Sequence, residues 1–328
     1  MTASGQNLKF QRIITFTSVI LFGIKISAWY MTGSVSILTD ALESTVNIFT
    51  AFLGLYSLYL SAKPRDENHP YGHGKIEFIS AAIEGVLISV AGLIIVYEAI
   101  INLRHPHALQ QLDFGILLIS ATAAVNYLVG FWAVRLGGRN KSPALVSSGK
   151  HLQSDTYSTV GIILGLLVIR ITGIAWLDSA VALLFAGIIM VMGYGIIRSS
   201  LAGIMDEADE ELLREIVAVL QENRQENWID LHNLRVIKYG SVLHMDCHLT
   251  APWYFNVHQA HEQVDKLGRL VRDNFGDNVE LFVHTDGCLP FSCKICSKQD
   301  CHVRQSDFVA RIEWTVGNIS ADNKHRID

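Results

Sequence analysis

The sequence predicts a membrane-embedded all-α bundle of six helices followed by a small α+β domain. Three observations carry this. Only 17% of the 328 residues are charged, against about 25% in an ordinary soluble domain, and the mean hydropathy is +0.30. The apolar residues are concentrated before about Asp206, after which the chain turns charged. The first part also breaks into six mostly apolar stretches, each near the roughly 20 residues that cross a bilayer as a helix.

Those stretches run from Phe10 to Met31, Val35 to Leu60, Ile76 to Leu103, Phe114 to Leu136, Leu145 to Ile171 and Ile174 to Arg198. Thr32-Gly33-Ser34 and Thr172-Gly173 read as tight connections between antiparallel helices. The polar start, Met1 to Lys9, lacks a cleavable signal pattern, so the first stretch is expected to remain as a helix. Lys9, Arg12, Lys63, Arg65, Lys75, Arg135, Arg139, Lys141, Lys150 and Arg198 fall on one side of a six-helix topology, with mainly Arg104 and Arg170 on the other. This bias places both termini in the cytoplasm. The net charge of -5 averages two unlike halves, and no Lys/Arg-rich patch marks a nucleic-acid partner.

The chain after Asp206 reads as helix (Glu207 to Asn223), strand (Leu234 to Tyr239), strand (Val242 to Thr250), helix (Asn256 to Phe275) and strand (Val279 to Val283). Gly240-Ser241 is a hairpin signal between the first two strands. A short apolar run, Phe308 to Val316, precedes a polar end. The expected division is a transmembrane domain over 1–205, an α+β domain over 206–287 and a Cys-rich extension over 288–328.

Ionisable groups inside a bilayer are costly and functional by default. His151 and Asp155 are four apart, on one face of the fifth helix. An imidazole and a carboxylate so placed both reach one cation, as ordinary ligands of Zn2+ and its neighbours. The plainer alternative puts His151 at the membrane surface and pairs Asp155 with a lysine. In the second helix Glu43 and Asn47 are also four apart, and would complete a site of two carboxylates, an imidazole and an amide oxygen. Asp40 and Ser44 form a competing pair, rotated about 60° away. Lys25 either neutralises Asp40 or Glu43 or extends its stem to a surface.

Four segments occur in an order that resembles the cation diffusion facilitators, a family of dimeric metal/proton antiporters. They are Leu38-Thr39-Asp40-Ala41-Leu42-Glu43-Ser44, His69-Pro70-Tyr71-Gly72-His73-Gly74-Lys75-Ile76-Glu77, His151-x-x-x-Asp155 and Trp176-Leu177-Asp178-Ser179. The resemblance spans about Phe10 to Cys288. It implies a tetrahedral transport site drawn from the second and fifth helices, here Glu43, Asn47, His151 and Asp155. The usual second-helix half is His/Asp-x-x-x-Asp, so Glu43 and Asn47 depart from it. This hardens the ligand set and gives Mn2+ or Fe2+ weight, while Zn2+ still ranks first because His151 remains; Co2+ and Cd2+ are further candidates.

The resemblance also implies a loop metal site at Asp66, His69 and His73. The C-terminal domain is expected to be metallochaperone-like (ferredoxin-like), with a binuclear centre of His232, His248, His261, His284 and Asp286. Lys75 and Asp206 match a charge interlock between the helical part and that domain. The family function is cytoplasmic metal efflux against protons, by a homodimer in a bacterial inner or plasma membrane.

Cys288, Cys293, Cys296 and Cys301 have a Cys-x2-Cys core with two flanking thiols. That spacing suits a structural Zn2+ held by four thiolates, with an iron-sulfur cluster as the lesser option. Cys247 sits in an alternating strand and reads as core. Two other functions compete: a membrane metal sensor that no longer transports, kept in view by Asn47, and an intramembrane metalloenzyme. The latter needs a general base beside metal-bound water, and no His-Glu-x-x-His sequence occurs. The sequence therefore predicts a protein that is not an enzyme.

Overall fold

The computed structural model describes residues 3–61, 63–105, 109–139, 143–239, 242–276 and 278–327. Lys141 and the Gly240-Ser241 turn lie outside the described residues. The chain divides into two units, Met1–Ser57 with Ile79–Ser200, and Leu58–Phe78 with Leu201–Asp328.

Among the described residues, six long helices occupy the apolar part: α1 (Ala3–Thr32), α2 (Val35–Ser61), α3 (Ile76–Arg104), α4 (Leu112–Arg139), α5 (Pro143–Thr172) and α6 (Trp176–Ile204). At 27 to 30 residues each reaches about 40–45 Å, more than the ~30 Å hydrocarbon core of a bilayer. Among the described residues, five of them carry apolar windows long enough to cross a membrane. The sixth, α2, is as long but holds Asp40, Glu43 and Asn47. Large apolar side chains such as Phe49, Phe52, Leu164, Leu184 and Val191 face outward, where lipid rather than water would solvate them.

Within this unit, α2 joins two apolar clusters. Ile37 packs with Ala28, Ile119, Ile162, Leu166 and Ile169 from α1, α4 and α5. Val35 packs with Ile95, Ala99, Ala182, Ala186 and Ile189 from α3 and α6. Small residues let backbones close in, as expected where lipid supplies no hydrophobic drive. A Cβ on Gly130 of α4 would meet the Gly149 carbonyl of α5 at 2.8 Å, and one on Gly149 would meet the Gly130 carbonyl at 2.7 Å.

Two buried polar knots fix α2. At its start, Asp178 of α6 accepts from the Ser34 hydroxyl at 2.6 Å and from the Val35 and Ser36 amides at 2.7 and 3.3 Å. A helix start leaves four N–H groups without partners and carries a partial positive charge. Here a carboxylate 143 residues later in sequence answers both. One turn further on, Lys25 of α1 donates to Asp40 at 2.8 Å and to Ser44 at 2.9 Å. The Thr159 hydroxyl of α5 donates to the same Asp40 oxygen at 2.8 Å. The Lys25 and Asp40 side chains are each 2% exposed, which settles the partner of Lys25 as Asp40 rather than a surface.

The second unit has the order α7 (Glu210–Glu222), β1 (Asp230–Tyr239), β2 (Val242–Ala251), α8 (Val257–Phe275), β3 (Val279–Gly287) and a one-turn α9 (Val316–Ile319). Asp209 caps α7 by accepting from Glu211 and Leu212, and Asn256 caps α8 in a reciprocal box with Gln259. The sheet runs β1-β2-β3, with β1 and β2 antiparallel and β2 and β3 parallel. Leu213, Ile216 and Leu220 of α7 and Leu267 and Val271 of α8 pack with Leu231, Met245 and Leu249 of the sheet to form the core, and Trp228, Trp314 and Ile319 join them.

Both outer strands are longer than their apolar runs. β1 begins at Asp230 rather than Leu234, and β3 ends at Gly287 rather than Val283. Pairing with β2 pulls polar residues into the ladder, so His232, His284 and Asp286 are strand residues. The Phe308 to Val316 run forms no regular element until Val316; it contributes Trp314 to the core instead. The 58–78 segment groups with the second unit because its side chains bond there: Lys75 to Asp206, Arg65 to Glu280, and Tyr71 against Tyr239 at 5.8 Å.

Removing one partner of a buried ion pair strands the other charge at about 3–5 kcal/mol, whereas replacing both is tolerated. Lys25→Met should therefore lower the unfolding midpoint in detergent strongly, and Lys25→Met with Asp40→Leu should recover most of the loss. Equal midpoints for the two variants would contradict the pairing.

Candidate metal centres

In the helical unit, α2 and α5 bring Asn47 and Asp155 into direct contact. The Asn47 amide donates to Asp155 Oδ2 at 3.0 Å, and His151 Nε2 lies 3.9 Å from Asp155 Oδ1. Glu43, one turn before Asn47, is within electrostatic range of Asp155, Asp40 and Lys25. Asp155 is the meeting point: one oxygen faces the amide and the other the imidazole. Glu43, His151 and Asp155 are not among the groups whose ligand atoms all lie within 4.8 Å of one another. Asp40 and Ser44 are turned to Lys25 instead.

Among the described residues, two clusters of the second unit do meet that distance. Asp66, His69 and His73 form the first. Asp66 closes a turn by accepting from the Asn68 and His69 amides at 3.0 and 2.7 Å, and its oxygens lie 3.0 Å from His69 Nδ1 and 3.4 Å from His73 Nε2. Gly72 adopts φ of 91°, a conformation glycine takes without steric cost, between the two histidines.

The second cluster is His232, His248 and Asp286, and strand register builds it. His232 pairs with His248 across β1 and β2, and His248 with His284 across β2 and β3. Three imidazoles thus stand side by side on one face of the sheet, with centroid spacings of 5.1 and 4.6 Å. Asp286, two residues beyond His284, shares that face. Its carboxylate lies 3.6 Å from His232 Nε2, 3.5 Å from His248 Nδ1 and 3.4 Å from His284 Nδ1. Such nitrogen and oxygen donors suit Zn2+ and related ions.

His261, expected with this group, is not brought to it. Its side chain is 70% exposed and lies 3.7 Å from Asp265, one turn along α8. The reason is the packing of α8: Leu267 and Val271 join the Leu231 and Leu249 side of the sheet, opposite the histidine row. His244 sits 3.1 Å from Glu280, against Tyr239, away from the row.

The four C-terminal thiols are free and gather around the short helical turn Pro290–Lys294. They do not form a group with three sulfurs within 4.8 Å of one another. Burial pushes the Cys288 and Cys296 thiols up, against the pull of backbone N–H groups of Trp253 and Lys298. Arg304 organises this segment by donating to the carbonyls of Cys293, Cys296 and Lys298. Lys75 and Asp206 do pair, at 2.9 Å. Burial pulls the Lys75 ammonium down, but Asp206 outweighs it and holds the group above its usual value.

Sequence reasoning missed Asp230 and His325. Asp230 Oδ2 lies 3.3 Å from His232 Nδ1, and the His325 backbone amide donates to it at 3.0 Å. Burial alone would raise the Asp230 carboxyl; His232 and His325 instead hold it well below the usual carboxylate range. Two-residue periodicity from His232 was the available signal for Asp230, and none marked His325.

Asp66→Ala removes the acceptor that closes the 66–69 turn. The Asn68 and His69 amides should exchange with solvent about tenfold or more faster, the worth of a hydrogen bond to a charged group. Unchanged exchange would show that the turn is held by other contacts.

Comparison with known proteins places this architecture. Residues 12–205 match the cation efflux transmembrane domain, and residues 208–288 match the cytoplasmic domain of cation efflux proteins. The chain is 33% identical over 251 residues to the uncharacterized transporter sll1263 of Synechocystis, covering 76% of this chain and 81% of that one. It is 28% identical over 297 residues to the cation-efflux pump FieF of Pectobacterium carotovorum, covering 85% and 95% of the two chains. It is 30% identical over 287 residues to FieF of Shigella flexneri, covering 84% and 90%. With both domain types matched in order along its length, the chain belongs to the cation efflux family, the cation diffusion facilitators, and is an integral membrane transporter of divalent metal cations rather than an enzyme.

Proposed function

We propose that the protein exports Zn2+ from the cytoplasm in exchange for protons, through a substrate site made of Glu43, Asn47, His151 and Asp155. The observation that carries this is the convergence of Asn47 and His151 on the two oxygens of Asp155, within helices long enough to cross a bilayer. Metal binding requires a neutral imidazole and ionised carboxylates. Protons compete for the same lone pairs, so a proton arriving from the far side releases the ion there. The Asn47 amide presently donates to Asp155; a bound cation would take that carboxylate oxygen and leave the amide oxygen of Asn47 as a neutral donor.

A second reading keeps the same site with Mn2+ or Fe2+ as the preferred ion. It is favoured by the three oxygen-bearing side chains against one nitrogen, a harder set than paired histidines would give. In either case the Asp66, His69, His73 cluster and the His232, His248, His284, Asp286 row would take metal from the cytoplasm, the first loading the transporter and the second regulating it. The termini would lie in the cytoplasm of a bacterial cell, and two copies would work as a homodimer. His261 stands apart from the row, and the Lys75–Asp206 pair would serve as the charge interlock.

The protein reconstituted in vesicles with an imposed pH gradient should accumulate Zn2+ inside, read by an enclosed fluorescent indicator. Asp155→Ala should reduce the flux to that of empty vesicles. Flux that persists in this variant would remove Asp155 from the substrate site, and Zn2+ flux insensitive to the pH gradient would remove proton exchange.

A further inference from the structure

The matched cytoplasmic domain ends at residue 288, but the chain continues and returns to the histidine row. Trp314 and Ile319 anchor this extension in the core. The Asn233 amide then donates to Ala321 at 2.8 Å, at the register shift that follows His232. Beyond it, Lys324 donates to the Gly287 carbonyl at 2.9 Å and places its ammonium 3.7 Å from Asp286 Oδ2. His325 turns the other way: its backbone amide and Nδ1 bond the two oxygens of Asp230 at 3.0 and 2.5 Å, and its Nε2 lies 3.2 Å from the Asn318 carbonyl.

These contacts close a ring. His325 holds Asp230, Asp230 lies against His232 Nδ1, His232 Nε2 faces Asp286, and Asp286 faces Lys324. Asp230 and His232 are almost wholly buried, and Lys324 and His325 are largely so. Asp230 stands 3.3 Å behind His232 Nδ1 without closing a hydrogen bond; closing that contact would fix the tautomer and turn the other nitrogen's lone pair outward, the usual arrangement behind a metal-ligating histidine. On the opposite side of the cluster, a lysine ammonium stands where it compensates the carboxylate shared by three imidazoles.

We propose that the C-terminal tail is a working part of the cytoplasmic metal centre. Asp230, fastened by His325, is a positioning residue that aims His232 Nε2 at the metal. Lys324 is a tethered cation that holds Asp286 until a divalent metal displaces it. The proposal rests on reading His232, His248 and Asp286 as a metal centre, and it assigns the tail two opposed effects: one tightens metal binding and the other resists it.

The test uses the full-length protein in detergent, titrated with Zn2+ in a calorimeter. His248→Ala should abolish one class of binding; if the stoichiometry does not change, the centre itself is wrongly read and the proposal goes with it. Given that loss, Asp230→Asn should weaken the same class about 10- to 100-fold without changing its stoichiometry. Lys324→Met should tighten it about fivefold, the scale of a part-exposed pair, and Lys324→Arg should return it to the wild-type value. A merely structural tail would not yield tighter binding on losing a side chain. Should Asp230→Asn fail to fold, the Lys324 variants decide alone. Wild-type affinity in Lys324→Met, with the His248→Ala loss intact, would overturn the tail's role while leaving the centre standing.

Discussion

The buried ion pair between Lys25 and Asp40 sets the geometry of the membrane unit. Neither charge would be stable there alone, so α1 and α2 are committed to one register wherever the pair forms. Thr159 brings α5 into the same knot by donating to Asp40. Thr159 is one turn beyond Asp155, and Asp40 is about two turns before Asn47. The knot therefore also fixes which faces of α2 and α5 meet, and with them the Asn47–Asp155 contact. Lys25 makes its close contact with Asp40, at 2.8 Å, and reaches Glu43 and Asp155 only at longer electrostatic range. Asp178 completes the arrangement at the start of α2, tying it to α6.

In the second unit the equivalent constraint is strand register. One row of paired positions holds three histidines, and a slip of any one strand by one residue would turn its histidine to the core face. The antiparallel edge places His232, the parallel edge places His284, and the two-residue period adds Asp286. The core on the other face, with α7 and α8, makes such a slip costly. The same alternation explains why His261 is separated: it lies on a helix that covers the wrong side of the sheet.

Much of this was legible in the sequence because it is local. Apolar runs gave the six helices, four-residue spacing paired His151 with Asp155, and alternation located the strands. What was not legible depended on residues far apart in the chain. The choice of Asp40 over Glu43 by Lys25 needs the relative rotation of two helices. The capping of α2 by Asp178 joins residues 143 positions apart in the chain. Asp230 lies before the apolar run that predicts the first strand, and only the returning tail, with Lys324 and His325, reveals its company. The cysteine spacing suggests a closed thiolate set; the four thiols lie within electrostatic range of one another, with no three sulfurs all within 4.8 Å, along a segment that Arg304 ties together through carbonyls.

The central claim is that the membrane site binds its ion through one imidazole and otherwise oxygen. Zn2+ X-ray absorption on full-length protein lacking the loop, sheet and cysteine donors, by replacing His69, His73, His232, His248, Cys288, Cys293, Cys296 and Cys301, addresses it directly. The account predicts a first shell at about 2.0–2.1 Å with a single imidazole and no sulfur. A shell with two or more imidazoles, or no ion retained at all, would contradict it.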